Sequence, residues 1–470
     1  MNIPLLIVAL YIIALFFIGL YGHRRTKGST ENYVLAGRRL TTPLITVSIV
    51  GLAIGGASTI GVAEQAYQVG LSAGWYTAAW AAGAITMGLL LAKKYRQLHI
   101  STIPELLGKY YDKKGVIAGV ICQIFIQLII TSLQYIAGGS ILHALLPNVF
   151  DFQTGMITSA IVFISVTFVG GMWSASLSNL LHIVLIYVGI TLATIIQVGT
   201  SGGLTAMAQQ LPADIPYFDW FQGVGWQQIV SWFAVMITVN LSLQSIVQIS
   251  LGAKDTRTSR NGFLWGGLMM IPVGFLCALL GIAAKVQFPE TTGALALTQT
   301  IMTLNPVLAG LTLAALWSAD ISAASNLLLS AATLFSQDVY KKSINPAVSE
   351  QKYLLITKLS VVIFGFMTFV LALTISGIIK TLMVALSLTA SFSVIVLFTI
   401  YAPKMCSKSA AFYTIVAGVV TLILWQTVPQ IRIFPHVIFL EWLVCLGTFV
   451  GVHVLEGKSA VALDTEESLG

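Results

Sequence analysis

Two short stretches of this chain combine residue types that can hold a small cation. The first is Ile49-Val50-Gly51-Leu52-Ala53-Ile54-Gly55-Gly56-Ala57-Ser58-Thr59-Ile60-Gly61, apolar and rich in glycine. The second is Trp317-Ser318-Ala319-Asp320-Ile321-Ser322-Ala323-Ala324-Ser325-Asn326. Alkali cations are hard and take oxygen ligands: carboxylate, hydroxyl and backbone carbonyl. At helical spacing Ser322, Ser325 and Asn326 share a face, while Asp320 leans towards Ala323. The bland alternative for such hydroxyls is packing between helices or a bond back to the preceding turn. Asp320 and the glycine-rich stretch together tip the reading towards an ion site.

The elements that position these residues cross a membrane. The chain has 470 residues, 57% of them hydrophobic and 9% charged, with a mean hydropathy of +0.90, values outside the range of ordinary soluble domains. A span needs about 20 apolar residues, and thirteen are predicted, near 3–21, 42–68, 71–92, 115–146, 153–172, 174–200, 229–252, 261–284, 306–336, 353–376, 378–402, 410–428 and 434–454. The first is read as a retained helix rather than a cleaved leader, since no Lys or Arg precedes it and His23-Arg24-Arg25-Thr26-Lys27 follows it. With the N-terminus outside, alternate loops collect all of the 24 Lys and Arg residues except Lys285, Lys380 and Arg432, the asymmetry that insertion into a cell membrane imposes. The net charge of +7 therefore reports orientation, and no nucleic-acid partner is expected. The expected partners are membrane lipid and a small solute, with the chain working as a monomer.

Within hydrocarbon an interrupted helix survives where its freed backbone groups line a protein cavity or hold a ligand. The glycine-rich stretch is such an interruption and points to a transporter. Of 17 carboxylates only Glu64, Asp320 and Glu441 fall well inside predicted spans, and no Lys or Arg is central in any of them. An ionisable residue buried in a membrane is costly and needs a named partner; for Asp320 the candidates are a transported cation, a proton, or a neighbour bonded to its neutral form. His182 near a helix middle reads as a hydrogen-bonded packing residue. Cys122, Cys277, Cys406 and Cys445 are scattered without metal or redox spacing and read as core residues. No zinc-type His cluster or Ser/His/Asp arrangement is present, so an enzyme is not expected. A channel fits the central break less well than alternating access does. The loop Ser201–Gln228, with Tyr217, Phe218, Trp220, Phe221 and Trp226, is either an interfacial aromatic belt or a lid over an outer vestibule.

In several places the chain resembles the sodium/solute symporter family, the group of the proline, pantothenate, sialic acid and sodium/glucose cotransporters. The motifs are the break ending Ser58-Thr59-Ile60-Gly61, Gly170-Gly171-Met172-Trp173-Ser174-Ala175, Gly252-Ala253-Lys254-Asp255 and Thr333-Leu334-Phe335-Ser336-Gln337-Asp338-Val339-Tyr340-Lys341. The resemblance covers nearly the whole chain. It implies an all-α polytopic membrane protein with a leucine-transporter-type core of two inverted five-helix repeats. The divisions would be an extra N-terminal helix at 1–22, a first repeat at 42–200, an inverted second repeat at 229–402, two further helices at 410–454 and a short cytoplasmic tail at 457–470. A second break is implied near Asn240-Leu241-Ser242-Leu243-Gln244-Ser245, which holds no Gly or Pro.

By the same resemblance a sodium ion would be held by the carbonyls of Gly51, Ile54 and Ala319 and the hydroxyl of Ser322. The family's second hydroxyl is replaced by Ala323, and Asp320 is expected either to supply the missing oxygen or to carry a coupling proton, with H+ in place of Na+. An Asp that marks an additional sodium site in some members is here Asn179, which implies one coupling cation per solute. Solute contacts are implied at Ser58, Thr59, Tyr76, Thr77 and Gln244, and polarity adds Gln134 and Tyr135. With few hydroxyl partners on offer, the solute is expected to be small and partly apolar. The positive end of a broken helix favours a carboxylate. Glu64 favours an amine, unless it is a hydrated gate residue. An amino acid or small carboxylate satisfies the first; an amine or cation carried by proton-coupled or uncoupled transport is the alternative.

Overall fold

The computed structural model describes residues 3–26, 28–291, 293–375 and 378–456. The predicted tail at 457–470 and two basic loop residues, Lys27 and Lys458, lie outside the described residues.

The described chain is helical throughout. In order it forms α1 (Ile3–Thr26), α2 (Thr30–Leu35), α3 (Thr42–Ala53), α4 (Val62–Val69), α5 (Trp75–Leu90), α6 (Ala92–Gln97), α7 (Ile103–Tyr110) and α8 (Lys113–Leu145). Next come α9 (Phe152–Thr200), α10 (Gly203–Gln210), α11 (Trp226–Ser242), α12 (Gln244–Leu251), α13 (Thr256–Gln287) and α14 (Gly293–Met302). The remainder is α15 (Pro306–Thr333), which runs on as a π-helix to Ile344, then α16 (Glu350–Ala372), α17 (Ile378–Ser387), α18 (Thr389–Tyr401), α19 (Ala410–Thr427) and α20 (Val437–Glu456).

Among the described residues nine helices are long and apolar enough to cross a membrane, or eleven if each of two bent pairs is one span. The thirteen expected from the sequence differ at two places. The predicted fifth and sixth spans run together as α9, 49 residues with a non-helical Gly171 at φ 55° and ψ −148° inside it. A side chain there would lie 2.4 Å from the carbonyl oxygen of Tyr33, so both the conformation and the close approach require glycine. The predicted third span is α5, only 16 residues long.

The bent pairs carry the ligand geometry. α3 and α4 are joined through a π-helical turn at Ala57–Gly61 and differ in direction by 58°. Consecutive Gly55 and Gly56 weaken helix there by about 1 kcal/mol each relative to alanine, and Ile54 leaves the helical region at φ −92°, ψ 73°. α11 and α12 bend by 50° at Leu243, which is extended at φ −75°, ψ 127°. This second break has a tertiary cause. The amide of Gln123 on α8 bridges it, Nε2 donating to the Ser242 carbonyl at 2.8 Å and Oε1 accepting from Gln244 N–H at 3.2 Å.

α15 is the centre of the bundle: every residue from Thr312 to Thr333 is buried, as expected of a helix surrounded by protein rather than lipid. It packs against α9, α8, α1, α16 and α3. The outer helices α1, α16 and α20 instead expose large apolar side chains such as Phe17, Phe366 and Leu443. All four cysteines are buried and unbridged.

Candidate functional site

At the end of α3 the chain, α9 and α15 come within side-chain reach of one another. The hydroxyl of Ser322 donates to Asn179 Oδ1. A Cβ added to Gly51 would lie 2.6 Å from Ser322 Oγ and 2.8 Å from Asn179 Oδ1. Only glycine allows that approach, and the result is a cluster of oxygens beside a helix end. Ala319 lies one helical turn before Ser322 on α15 and is fully buried, and Ile54 supplies the non-helical residue next to the cluster.

Asp320 faces a different part of the same break. Its Oδ1 lies 3.1 Å from where a Cβ on Gly56 would be, whereas Ser322 faces Gly51. The carboxylate is fully buried and neither oxygen has a hydrogen-bond partner among the described residues. Gln134 converges on the same point: its Oε1 accepts from Gly56 N–H at 2.8 Å and its Nε2 donates to the Ile130 carbonyl at 3.3 Å. Asp320 and Gln134 thus both approach a backbone donor freed by the break.

Beside this point lies a small cavity of about 20 Å3, lined by Leu52, Tyr76, Trp80, Ile130, Gln134, Leu243 and Leu327, among others. That is room for about one water molecule. Its walls are apolar and aromatic, apart from the Gln134 amide and the Tyr76 hydroxyl, which accepts from Trp80 Nε1 at 3.1 Å. It is bounded by both breaks, through Gly55 and Leu243.

Several expected solute contacts have other occupations. Ser58 donates to the Ala53 carbonyl at 2.5 Å and Thr59 to the Gly55 carbonyl at 3.1 Å, so both hydroxyls satisfy the break itself. Thr77 is turned towards α13, its Oγ1 being 2.7 Å from where a Cβ on Gly274 would lie, but this hydroxyl is buried without a hydrogen-bond partner among the described residues. Gln244 points to the α6–α7 connection, accepting from Ile103 N–H at 2.9 Å and donating to the Ser101 carbonyl at 3.3 Å. Glu64 lines a separate cavity of about 290 Å3 with Ile136, Phe152, Gln153 and Ile378. Of the expected solute contacts, Tyr76 and Gln134 line the central cavity.

Three residues shape the site beyond the contacts expected from the sequence. Asn179, expected only to mark the loss of a second site, touches Ser322. Gln123 holds the second break. Gln127, between Gln123 and Gln134 on α8, is fully buried with both amide atoms unpartnered among the described residues. The signal was available: three glutamines at spacings of four and seven share one face of an apolar helix. His182 differs from its expected hydrogen-bonded state. It is buried, its ring centroid 5.9 Å from that of Tyr11, and neither ring nitrogen has a partner among the described residues.

Both ends are closed. On the side of the basic loops, Leu40 pairs with the Gly252–Lys254 backbone, its N–H donating to Gly252 at 3.0 Å and its carbonyl accepting from Lys254 at 2.9 Å. Arg38 and Arg96 add bonds to the carbonyls of Ile100 and Ala253 at 2.8 and 2.6 Å. On the other side the aromatic loop docks on α5 and α13. Leu71 N–H donates to the Tyr217 carbonyl at 2.7 Å, Trp75 Nε1 to the Trp220 carbonyl at 2.7 Å, and Trp220 meets Phe275 edge-on at 5.2 Å.

A profile of the sodium:solute symporter family matches residues 33–418. The chain belongs to the sodium:solute symporter family. It is therefore a multi-pass membrane protein that transports a small solute, and not an enzyme. Sodium/proline symporters of Staphylococcus aureus strains are 25% identical over 446 residues, covering 89% of this chain and 85% of theirs. Among solved structures, the substrate-bound outward-open state of a Na+-coupled sialic acid symporter superposes with a TM-score of 0.79 at 17% identity, covering 97% of this chain and 98% of that one. A nucleobase-cation-symport-1 family transporter in a closed conformation superposes with a TM-score of 0.61 at 14% identity over 93% and 98% of the two chains. These likenesses give this symporter the leucine-transporter-type fold.

Proposed function

We propose that this symporter imports a small, partly apolar amino acid or carboxylate together with one sodium ion by alternating access, working as a monomer in the cell membrane. The observation that carries the reading is the convergence of Gly51, Ser322 and Asn179 at the end of a broken helix. The carbonyls of Gly51, Ile54 and Ala319, the hydroxyl of Ser322 and the amide oxygen of Asn179 form an oxygen set suited to a hard monovalent cation. The solute lies against Tyr76 and Trp80, and its carboxylate takes over Gly56 N–H from the Gln134 amide. An apolar wall with one amide suits an aliphatic amino acid better than a sugar, and the proline symporters of S. aureus are relatives of this chain. Ser58 and Thr59 keep the break open for both ligands, and Thr77 and Gln244 become contacts only when the helices carrying them shift. The thirteen-span reading, with the N-terminus outside and the C-terminus in the cytoplasm, rests on α9 crossing twice about Gly171, on α5 crossing once, and on the basic loops.

A second reading has its own observation. Asp320 has no cationic partner among the described residues and faces the break rather than Ser322, an arrangement that also suits a proton, with Glu64 in the outer cavity attracting an amine. Uptake into proteoliposomes from a panel of amino acids, carboxylates and amines, driven in turn by a sodium and by a proton gradient, separates the two. Sodium-driven uptake of an amino acid supports the first reading; uptake indifferent to sodium and driven by protons replaces it with the second.

A further inference from the structure

Away from the breaks lies a second carboxylate with no counter-charge. Glu441 on α20 is fully buried, and neither oxygen accepts a hydrogen bond from the described residues. The hydroxyl of Ser387 on α17 stands beside it, as do the thiols of Cys122 on α8 and Cys445 on α20. The other helices packed on this stretch bring hydroxyls: Thr238 on α11, Ser391 on α18 and Thr414 on α19. The basic groups on the packed elements are engaged elsewhere: His436, just before α20, faces the Ile438 N–H, His453 on α20 faces Ser407, and Lys380, at the start of α17 two turns before Ser387, lies in a groove with Phe125 and Gln426. No Lys, Arg or His among the described residues pairs with Glu441.

The surroundings of Glu441 favour its neutral form. The Ser387 hydrogen goes to the Val384 carbonyl at 2.8 Å, the Ser391 hydrogen to the Leu388 carbonyl at 2.9 Å, and the Cys445 hydrogen to the Thr414 carbonyl at 3.7 Å. These three groups have their hydrogens committed and their lone pairs free, while the Thr414 hydroxyl has no partner among the described residues. A carboxylate there would be a buried charge with no counter-ion among the described residues, one of the costliest states in a protein interior. A neutral acid can give its own hydrogen to Ser387 Oγ.

The site is tied to the second break. The next residue, Trp442, donates from Nε1 to Thr238 Oγ1 at 2.8 Å; the Thr238 carbonyl accepts from Ser393 Oγ at 2.7 Å; and Ser393 Oγ meets Ser242 Oγ at 2.8 Å, on the last residue before the bend. On the opposite flank Cys122 is the sequence neighbour of Gln123, which bridges that bend.

We propose that Glu441 is a proton-binding site, loaded in this closed arrangement and released when the α11–α12 bend opens and water reaches α20. Its ligand is H+, separate from any ion at Gly51 and Ser322, and the site does not depend on which solute is carried. The test is infrared spectroscopy of the purified protein in lipid nanodiscs, from acidic to alkaline buffer, with sodium-driven uptake across the same range. A protonated-carboxyl band that survives in Asp320→Asn and vanishes in Glu441→Gln is expected. Uptake that varies several-fold with pH in the parent should become flat in Glu441→Gln. A band unaffected by Glu441→Gln, or an unchanged pH profile in that variant, overturns the proposal. Should Glu441→Gln fail to assemble, Ser387→Ala, which removes the acceptor, is expected to shift the same band, and an unmoved band overturns it equally.

Discussion

Gln123 and Gln134 lie on one face of α8, about three helical turns apart, and each bonds the backbone of a different broken helix: Gln123 the Ser242–Gln244 bend and Gln134 the N–H of Gly56. One helix therefore holds both interruptions at a fixed separation, with the central cavity and the unpartnered Gln127 between its two contacts. Freed backbone groups in a membrane interior need partners, and here two glutamines of one neighbour supply them.

Replacing Gln123 with alanine strands the Ser242 carbonyl and the Gln244 N–H in a buried place. The expected loss of stability is about 1–3 kcal/mol, read as a lower melting temperature in detergent. A variant as stable as the parent would mean that the bend holds itself.

Ser322→Ala removes one oxygen from the cluster at Gly51. Uptake is expected to need roughly tenfold or more sodium for half-saturation, since a lost charge-assisted contact is worth about 1.5–3 kcal/mol. Gly51→Ala, which drives a methyl into Ser322 and Asn179, should abolish sodium-dependent uptake while leaving the protein in the membrane.

Asp320→Asn keeps the shape of the side chain and removes its charge. Concentrative uptake is expected to fall by at least about tenfold, with its sodium or pH dependence altered. Intact transport with both dependences unchanged would relieve Asp320 of any part in coupling.

One sodium per solute is expected, because Asn179 brings an amide and no charge. Parallel isotope fluxes of sodium and solute measure the ratio directly, and a value of two would require an additional site.

Outside the membrane, the carboxylate of Asp255 caps α13 by accepting from Thr258 N–H at 2.7 Å, and that bond holds its pKa below the usual carboxylate value. Its stabilising effect is therefore complete above the unfolded-state value and is lost as pH falls through the lower folded value. Asp255→Ala should cost about 1 kcal/mol at neutral pH, with the gap to the parent narrowing in acid. Melting temperatures of the two proteins across that range provide the check.

The all-helical membrane fold was legible because hydropathy and loop charge are properties of long stretches. The first break was legible because Gly55 and Gly56 announce it locally. The second was not, since Leu243 and its neighbours are ordinary helix formers and the cause of the bend, Gln123, is more than a hundred positions away in sequence. Helical geometry gave the shared face of Ser322, Ser325 and Asn326. It could not show that Asp320 faces Gly56, because that depends on how α3 turns after Ile54. Ser58 and Thr59 were identified by type, yet their hydroxyls go to the carbonyls of Ala53 and Gly55. Backbone groups opened by a kink compete for the nearest donors, and a linear sequence does not reveal which side chain wins.

The seal on the basic-loop side is sewn chiefly from main-chain atoms. Leu40 pairs with Gly252 and Lys254 through peptide groups, Arg96 grips the Ala253 carbonyl, and Arg38 grips the Ile100 carbonyl beside its ion pair with Glu31. Such a fastening is nearly invisible to side-chain scanning, since truncating Leu40 or Lys254 to alanine leaves every peptide bond in place. A proline at Leu40, which deletes the donated hydrogen, is the substitution that would unpick it. Relatives could then drift freely in side-chain identity along this seam while keeping the same closure.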